Sequence, residues 1–126
     1  MKYNMAQLKD LIVNGPARFA GNVFVNGYVA EGMSTTTNIA AIPITNGSCK
    51  CTISAAGTFG LAAIPEAGRT IHVLIYNSSS SAKTVTLPNT GSYRSFSGNS
   101  VSVPATGYAE VSVFSDGSIM FIRAGY

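Results

Sequence analysis

The stretch that decides the fold is Arg69–Pro88, RTIHVLIYNSSSSAKTVTLP, which predicts two β-strands joined by a serine-rich loop. In the first strand, residues 70–76, both alternating sets of side chains are largely apolar, so both faces are expected to be covered. In the second, residues 84–87, apolar side chains alternate with threonine, so one face is expected to meet solvent. The asparagine and serines of residues 77–81 favour a loop. The stretch predicts the kernel of an antiparallel sheet.

The sequence on either side repeats this pattern of short apolar runs and turns at a spacing of about ten residues. Residues 39–44 predict an edge strand or the end of a strand, because Pro43 cannot donate to a sheet ladder. Asp116-Gly117 lies between two apolar runs and predicts a hairpin with a type I′ turn. No helical period is visible after residue 10. We therefore expect an all-β fold, an antiparallel and jelly-roll-like β-sandwich, over residues 34–126.

The amino-terminal third has a different sequence pattern from the rest of the chain: very short apolar runs that each end in a predicted turn. Val13-Asn14-Gly15 recurs as Val25-Asn26-Gly27, and Asn-Gly readily adopts the positive φ of a tight turn. Strands this short cannot bury a core within one chain, so their apolar residues need cover. Either the main domain supplies it, or the same segment of two symmetry-related copies does, in an intertwined three-chain stalk. The interface residues expected for the stalk are Leu11, Ile12, Val13, Phe19, Val23, Val25 and Tyr28.

These patterns divide the chain into an attachment and stalk segment, residues 1–33, and a β-sandwich head domain, residues 34–126. Residues 1–10 have apolar side chains at helical spacing and form either a short helix or a disordered lead. The division favours an oligomer over a monomer.

Composition favours a structural or binding protein over an enzyme. Charged residues make up 10% of the 126 residues, against about 25% in ordinary soluble domains. The net charge is +3, but the basic residues are scattered, whereas nucleic-acid binding needs a concentrated patch. No run is long and apolar enough to span a bilayer, and Lys9 and Asp10 interrupt any signal-peptide core. We expect neither a nucleic-acid nor a membrane partner, and synthesis in a cytoplasm.

The residues that could carry chemistry are few. The acidic residues lie mostly in turns, and none is placed to form a catalytic pair with another. His72 is the single histidine, and its apolar strand favours a buried imidazole with one hydrogen-bond partner. Cys49 and Cys51 are two apart, at the edge of what a disulfide tolerates, so two reduced thiols are favoured. No phosphate loop, nucleophile elbow or metal-ligand set occurs. We expect no enzyme, no cofactor and no metal.

A binding surface is harder to exclude, because tyrosine rings can stack on sugars and amides can hydrogen-bond to them. The candidate glycan contacts are Tyr93, Tyr108 and Asn99. The alternative is that these residues simply belong to the rims and turns of a β-sandwich, where tyrosine and asparagine are common.

The opening LKDLIVNGPARF (residues 8–19), continued by Gly21-Asn22-Val23, resembles the openings of fibre and appendage proteins of tailed bacteriophages. The strands at 71–77 and 84–88 and the final Ser-Asp-Gly-Ser hairpin are similar to the small β-sandwich knobs of such fibres. The resemblance covers most of the chain and is carried by short motifs.

The resemblance implies a homotrimer that is anchored to the capsid or another virion protein through its amino terminus. At this length the chain would be a head fibre, a capsid decoration or a short tail appendage, located in the virion, with host-surface glycans as a further candidate partner. It transfers no catalytic residues. A stand-alone carbohydrate-binding or adhesin module is the alternative function.

Overall fold

The computed structural model describes residues 12–125. Within them the chain forms strands and no helix, so the all-β prediction is confirmed. The hypothesis of a short helix over residues 1–10 lies outside the described residues. The strands are β1 Met33–Thr36, β2 Ser48–Ile53, β3 Gly57–Thr58, β4 Thr70–Asn77, β5 Lys83–Thr86, β6 Tyr93–Ser95, β7 Ser100–Val103, β8 Tyr108–Ser115 and β9 Met120–Gly125.

The strands form two sheets that share one core. The larger sheet has six strands in the order β1-β2-β4-β8-β9-β6, and the smaller has three in the order β3-β5-β7. In the long strands every second side chain is buried, as the period of two requires. Ile75 from the large sheet, Val85 from the small one and Phe59 from the loop after β3 all belong to the same buried cluster.

The first half of the domain is stacked in parallel, an arrangement like a β-solenoid. β1, β2 and β4 run in the same direction, with Ser48 level with Met33 on one side and His72 on the other. β3 lies parallel to β5 in the same way, and Ile42 forms a parallel bridge with Leu61. The chain therefore passes repeatedly between the two sheets, which needs the long connections that parallel strands require.

The second half closes the domain with antiparallel pairs. β8 pairs with β4 on one side and with β9 on the other, and β7 pairs with β5. β6 is an exception, because it returns to pair in parallel with β9 at the edge of the large sheet.

Three local predictions were wrong. β4 and β5 do not pair with each other, because loop 78–82 carries the chain from one sheet to the other. Residues 39–44 form no strand and contribute only the bridge of Ile42. The β8–β9 hairpin forms as predicted, but its turn is a four-residue loop in which only Gly117 has positive φ, which excludes type I′.

Asn77, at the end of β4, explains why the chain changes sheet there. Its side chain is fully buried, and its Nδ2 donates to the carbonyl oxygens of Ser81, Val103 and Pro104. Its Oδ1 accepts hydrogen bonds from the backbone N–H and the hydroxyl of Ser79. The serine loop is exposed as predicted, but this buried amide holds it in place.

Candidate functional site

The amino-terminal segment, residues 12–32, is exposed and has no regular secondary structure. No strand forms in it, so the predicted string of short strands is wrong for these residues. Gly15 and Gly27 do take positive φ after their asparagines, but they bend the chain without closing a hairpin. Of the predicted interface residues, Ile12, Val13, Phe19, Val23, Val25 and Tyr28 are all exposed, and Leu11 lies outside the described residues.

This exposure tests the first of the two alternatives for covering the segment, cover by the main domain. Phe24 is 88% exposed and Tyr28 is 87% exposed, so neither packs on the domain. Cover by the main domain is therefore wrong for residues 12–32. What stays open is cover by another molecule, a copy of the chain or a different partner.

The large sheet has an outer face, directed away from the core, whose two ends differ. One end, which we call the near end, holds Thr70, Phe114 and Phe121. These residues are level with one another across β4, β8 and β9. The far end holds Tyr76 and Tyr108, which are also level with each other. Tyr108 and Phe114 are six positions apart on β8, so the two ends are separated by about 20 Å.

The predicted glycan contacts are not brought together. The hydroxyl of Tyr93 accepts a hydrogen bond from the backbone N–H of Leu61 at 3.0 Å, and its ring packs against the core. Tyr93 is level with Met120 towards the near end, whereas Tyr108 lies at the far end. Asn99 is exposed just before β7, in the other sheet. A single site made of these three residues is therefore not formed.

Tyr108 instead has a partner that sequence reasoning missed. The rings of Tyr76 and Tyr108 lie 4.9 Å apart between centroids, and Lys50 Nζ lies 5.5 Å from the Tyr76 ring, within the range of a cation–π contact. Tyr108 remains 53% exposed. The register between β4 and β8 creates this platform, and no feature of the sequence announces that register.

The near end carries a second aromatic group that the sequence did not reveal, which we call the Phe cluster: Phe96, Phe114 and Phe121. The rings of Phe96 and Phe121 are stacked at 5.9 Å, and those of Phe114 and Phe121 lie 6.5 Å apart. The cluster borders an open hollow of about 450 Å³ that Thr70, Ser112 and Arg123 complete.

His72 lies on the outer face and is exposed, so the expectation of a buried imidazole was wrong. The reason is the strand's period: Ile71 and Val73 face the core, which turns His72 away from it. Among the described residues, no group of three or more histidine, cysteine, aspartate or glutamate side chains could hold a metal ion.

Cys49 and Cys51 are free and are buried on the same face of β2. Burial raises the pKa of both thiols, and for Cys51 the neighbouring Cys49 adds to this, bringing its pKa to about 11. A thiol with a raised pKa is a poor nucleophile at neutral pH. The pair belongs to the core.

Comparison with known proteins returned no family model, no curated protein and no solved structure that matches the chain. Among residues 12–125 there is no helix with the length and apolarity needed to cross a membrane.

Proposed function

We propose that the chain is a non-enzymatic structural subunit that assembles as a homotrimer through its amino-terminal segment. The observation that carries the proposal is the exposed apolar run between Ile12 and Val29, which has no cover on its own domain. Burying one such side chain contributes roughly 1.5–3 kcal/mol. Contiguous exposed apolar surface of this kind marks interaction sites. In this proposal residues 12–29 of three copies bury one another in a stalk.

We extend the proposal to a virion of a tailed bacteriophage, as a head fibre, capsid decoration or short tail appendage. The sequence resemblance and the low content of charged residues, 10%, support this placement. The amino terminus would attach to the capsid or another virion protein, and the β domain would project. The two sheets would act as a sandwich-like head, although the parallel pairs β1–β2, β2–β4, β3–β5 and β6–β9 depart from a jelly roll.

The trimer is tested by the mass of the full chain in light scattering. A variant with Phe19, Val23, Val25 and Tyr28 changed to serine is expected to be monomeric, because the apolar surface of the segment is lost. The matched control changes Asn14, Asn22 and Asn26 to serine in the same segment and is expected to stay trimeric. A monomeric parent chain, or a trimer that survives the first variant, would contradict the proposal.

The virion placement is tested separately by the genes that flank this one. Neighbouring capsid and tail genes are expected. A locus without virion genes would remove the phage assignment and leave the oligomer untouched.

A second candidate function, contact with host-surface glycans, is favoured by the pair of exposed Tyr108 and half-buried Tyr76 at the far end. Exposed tyrosine faces beside a lysine suit the apolar faces and polar rims of sugar rings. Tyr108→Ala is expected to abolish binding on a glycan panel, while Asn99→Ala, at the other predicted contact, is expected to preserve it. Absence of binding by the parent chain would exclude this function, including the stand-alone adhesin.

A further inference from the structure

The Phe cluster is an apolar surface that no part of the described chain covers. Phe96 is 68% exposed and Phe114 is 46% exposed, although each has a neighbouring ring to stack on. Phenylalanine has no polar group that benefits from water, so exposing two of them beside the half-buried Phe121 on one sheet face is unfavourable. A cluster of this kind around a hollow marks a surface that meets a partner.

The amino-terminal segment leaves the domain at the same end of the sheet. Glu31 and Gly32 lie beside residues 45–47, which precede β2, and residues 68–70, which lead into β4 at the near end. In the proposed trimer, three segments meet beyond this end, so each Phe cluster lies close to the segments of the neighbouring copies. The part of a segment nearest the heads contains Tyr28 and Val29, both exposed.

Charge argues against two Phe clusters packing on each other. Arg123 lines the hollow, and contact between equivalent faces would bring two arginines together. The stretch from Phe19 to Ala30 contains no charged residue and several apolar ones. An uncharged apolar segment fits the hollow without this repulsion.

The chain's own segment is poorly placed to fill the hollow. Tyr28 precedes Met33 by five residues, which span at most about 17 Å when fully extended. The hollow is lined by residues from β4 to β9, two to four strand spacings from β1, or about 10–19 Å. Tyr28 and Val29 remain exposed in their own chain and do not fill the hollow, whereas a neighbour's segment could approach it without first crossing β1 and β2.

We propose that the Phe cluster is the docking surface for the amino-terminal segment of a neighbouring copy, which inserts Tyr28 and Val29 into the hollow. This inference rests on the proposed trimer and specifies its geometry: the contact is heterologous, so that each head holds the segment of the next copy and the ring closes. The stalk interface then continues onto the heads instead of ending where the segment ends.

The test is cross-linking between two differently tagged full-length chains, one carrying Tyr28→Cys and the other Phe114→Cys. The chains are refolded together and treated with a short bismaleimide. A cross-linked species that contains one chain of each type is expected. The matched control pairs Tyr28→Cys with Tyr108→Cys, at the far end of the same strand, and is expected to give no cross-link. Cys49 and Cys51 are buried and are not expected to react.

A second measurement uses a single exposed side chain, so that folding is preserved. Phe114→Ser is expected to raise the chain concentration at half-dissociation by about tenfold or more, as loss of an interface aromatic does. Its circular dichroism spectrum is expected to match that of the parent chain.

Each result separates the inference from the proposed function. A trimer that gives no mixed cross-link and dissociates normally after Phe114→Ser overturns the docking surface and leaves the trimer standing. A further chain that carries both Tyr28→Cys and Phe114→Cys tests the chain's own segment as the occupant. If a cross-link forms only within that chain, its own segment fills the hollow, and the inference is overturned. If Tyr28→Cys cross-links to Tyr108→Cys as strongly as to Phe114→Cys, the contact is not specific to the Phe cluster, and the inference is again overturned. A monomeric parent chain overturns both proposals.

Discussion

The segment of residues 12–32 and the β domain of residues 33–125 use similar apolar side chains with opposite results. In the domain, valine, isoleucine and phenylalanine are buried because strand alternation aims them at a shared core. In the segment, the same residue types follow one another in Val23, Phe24 and Val25, so that apolar side chains point to both sides, yet all three remain exposed. Alternation produces burial only where a second layer exists to receive the side chains. The segment lacks that layer within its own chain.

The largest expected effect comes from making the same substitution in both regions. Phe59 is 1% exposed, so Phe59→Ala should reduce the free energy of unfolding by about 3–5 kcal/mol through lost burial and the cavity left behind. Phe24→Ala should change the stability of the dissociated chain by no more than about 0.5 kcal/mol. Denaturant unfolding followed by circular dichroism, at concentrations low enough for dissociation, measures both. A comparable loss for Phe24→Ala would show that the segment packs on the domain.

The second comparison uses asparagine. Asn77→Ala should cost about 2–3 kcal/mol, because it leaves the carbonyl groups of Ser81, Val103 and Pro104 without their buried donor. Asn26→Ala, in the exposed segment, should cost almost nothing. The same unfolding experiment measures both, and equal losses would remove the structural role assigned to the buried amide.

A smaller effect is expected from the thiols at high pH. The pKa of Cys51 is about 11 in the folded chain, raised from 9.0 by burial and by Cys49. The unfolded chain releases this proton first, so the stability contributed by the neutral buried thiol is present below pH 9 and is lost as the pH rises towards 11. Unfolding measured across this range should show a shallower decline in Cys51→Ala. Adding Val25→Cys, in the exposed segment, to the Cys51→Ala variant should not restore the steeper decline of stability with pH.

The smallest effect is expected at the β8–β9 turn. The backbone N–H groups of Ile119 and Ser118 donate to the carboxylate of Asp116 and hold its pKa below the ordinary 3.8. The stability that the ionised group contributes is present above that ordinary value and is lost as the pH falls through the lowered pKa. Asp116→Asn should therefore be slightly less stable than the parent at pH 7, and the difference should shrink in acid. Asn26→Asp in the segment should produce no matching pH dependence, and a matching one would contradict this account.

Much of the local structure could be predicted from the sequence. Strand alternation located β4 and β5, Asp116-Gly117 located the β8–β9 hairpin, and turn residues located most of the other connections between strands. These features are local, because a period of two and the φ preference of glycine depend on neighbouring residues only. Local interactions also explain why the predicted type I′ turn at Asp116-Gly117 was wrong. The Asp116 side chain accepts two backbone hydrogen bonds and stabilises a longer loop than Asp-Gly alone predicts.

The candidate sites could be predicted much less well. Tyr108 was expected at a binding surface, but its neighbour Tyr76 lies 32 positions earlier, and only the pairing of β4 with β8 joins them. Phe96, Phe114 and Phe121 come together through two strand pairings, one antiparallel and one parallel. Tyr93 was expected beside Tyr108, but it packs towards the core at the other end of the sheet.

The sequence by itself determined that the chain is built from short strands, that residues 34–126 contain the material for a core, and that the amino-terminal third differs from the rest. Local periodicity and turn chemistry are sufficient for that. Tertiary structure alone decided the parallel stacking of β1, β2 and β4, the change of sheet at Asn77, and the two aromatic surfaces at opposite ends of one face. Strand direction and partner choice depend on contacts between residues far apart in the chain, and those contacts exist only after the sheets have formed.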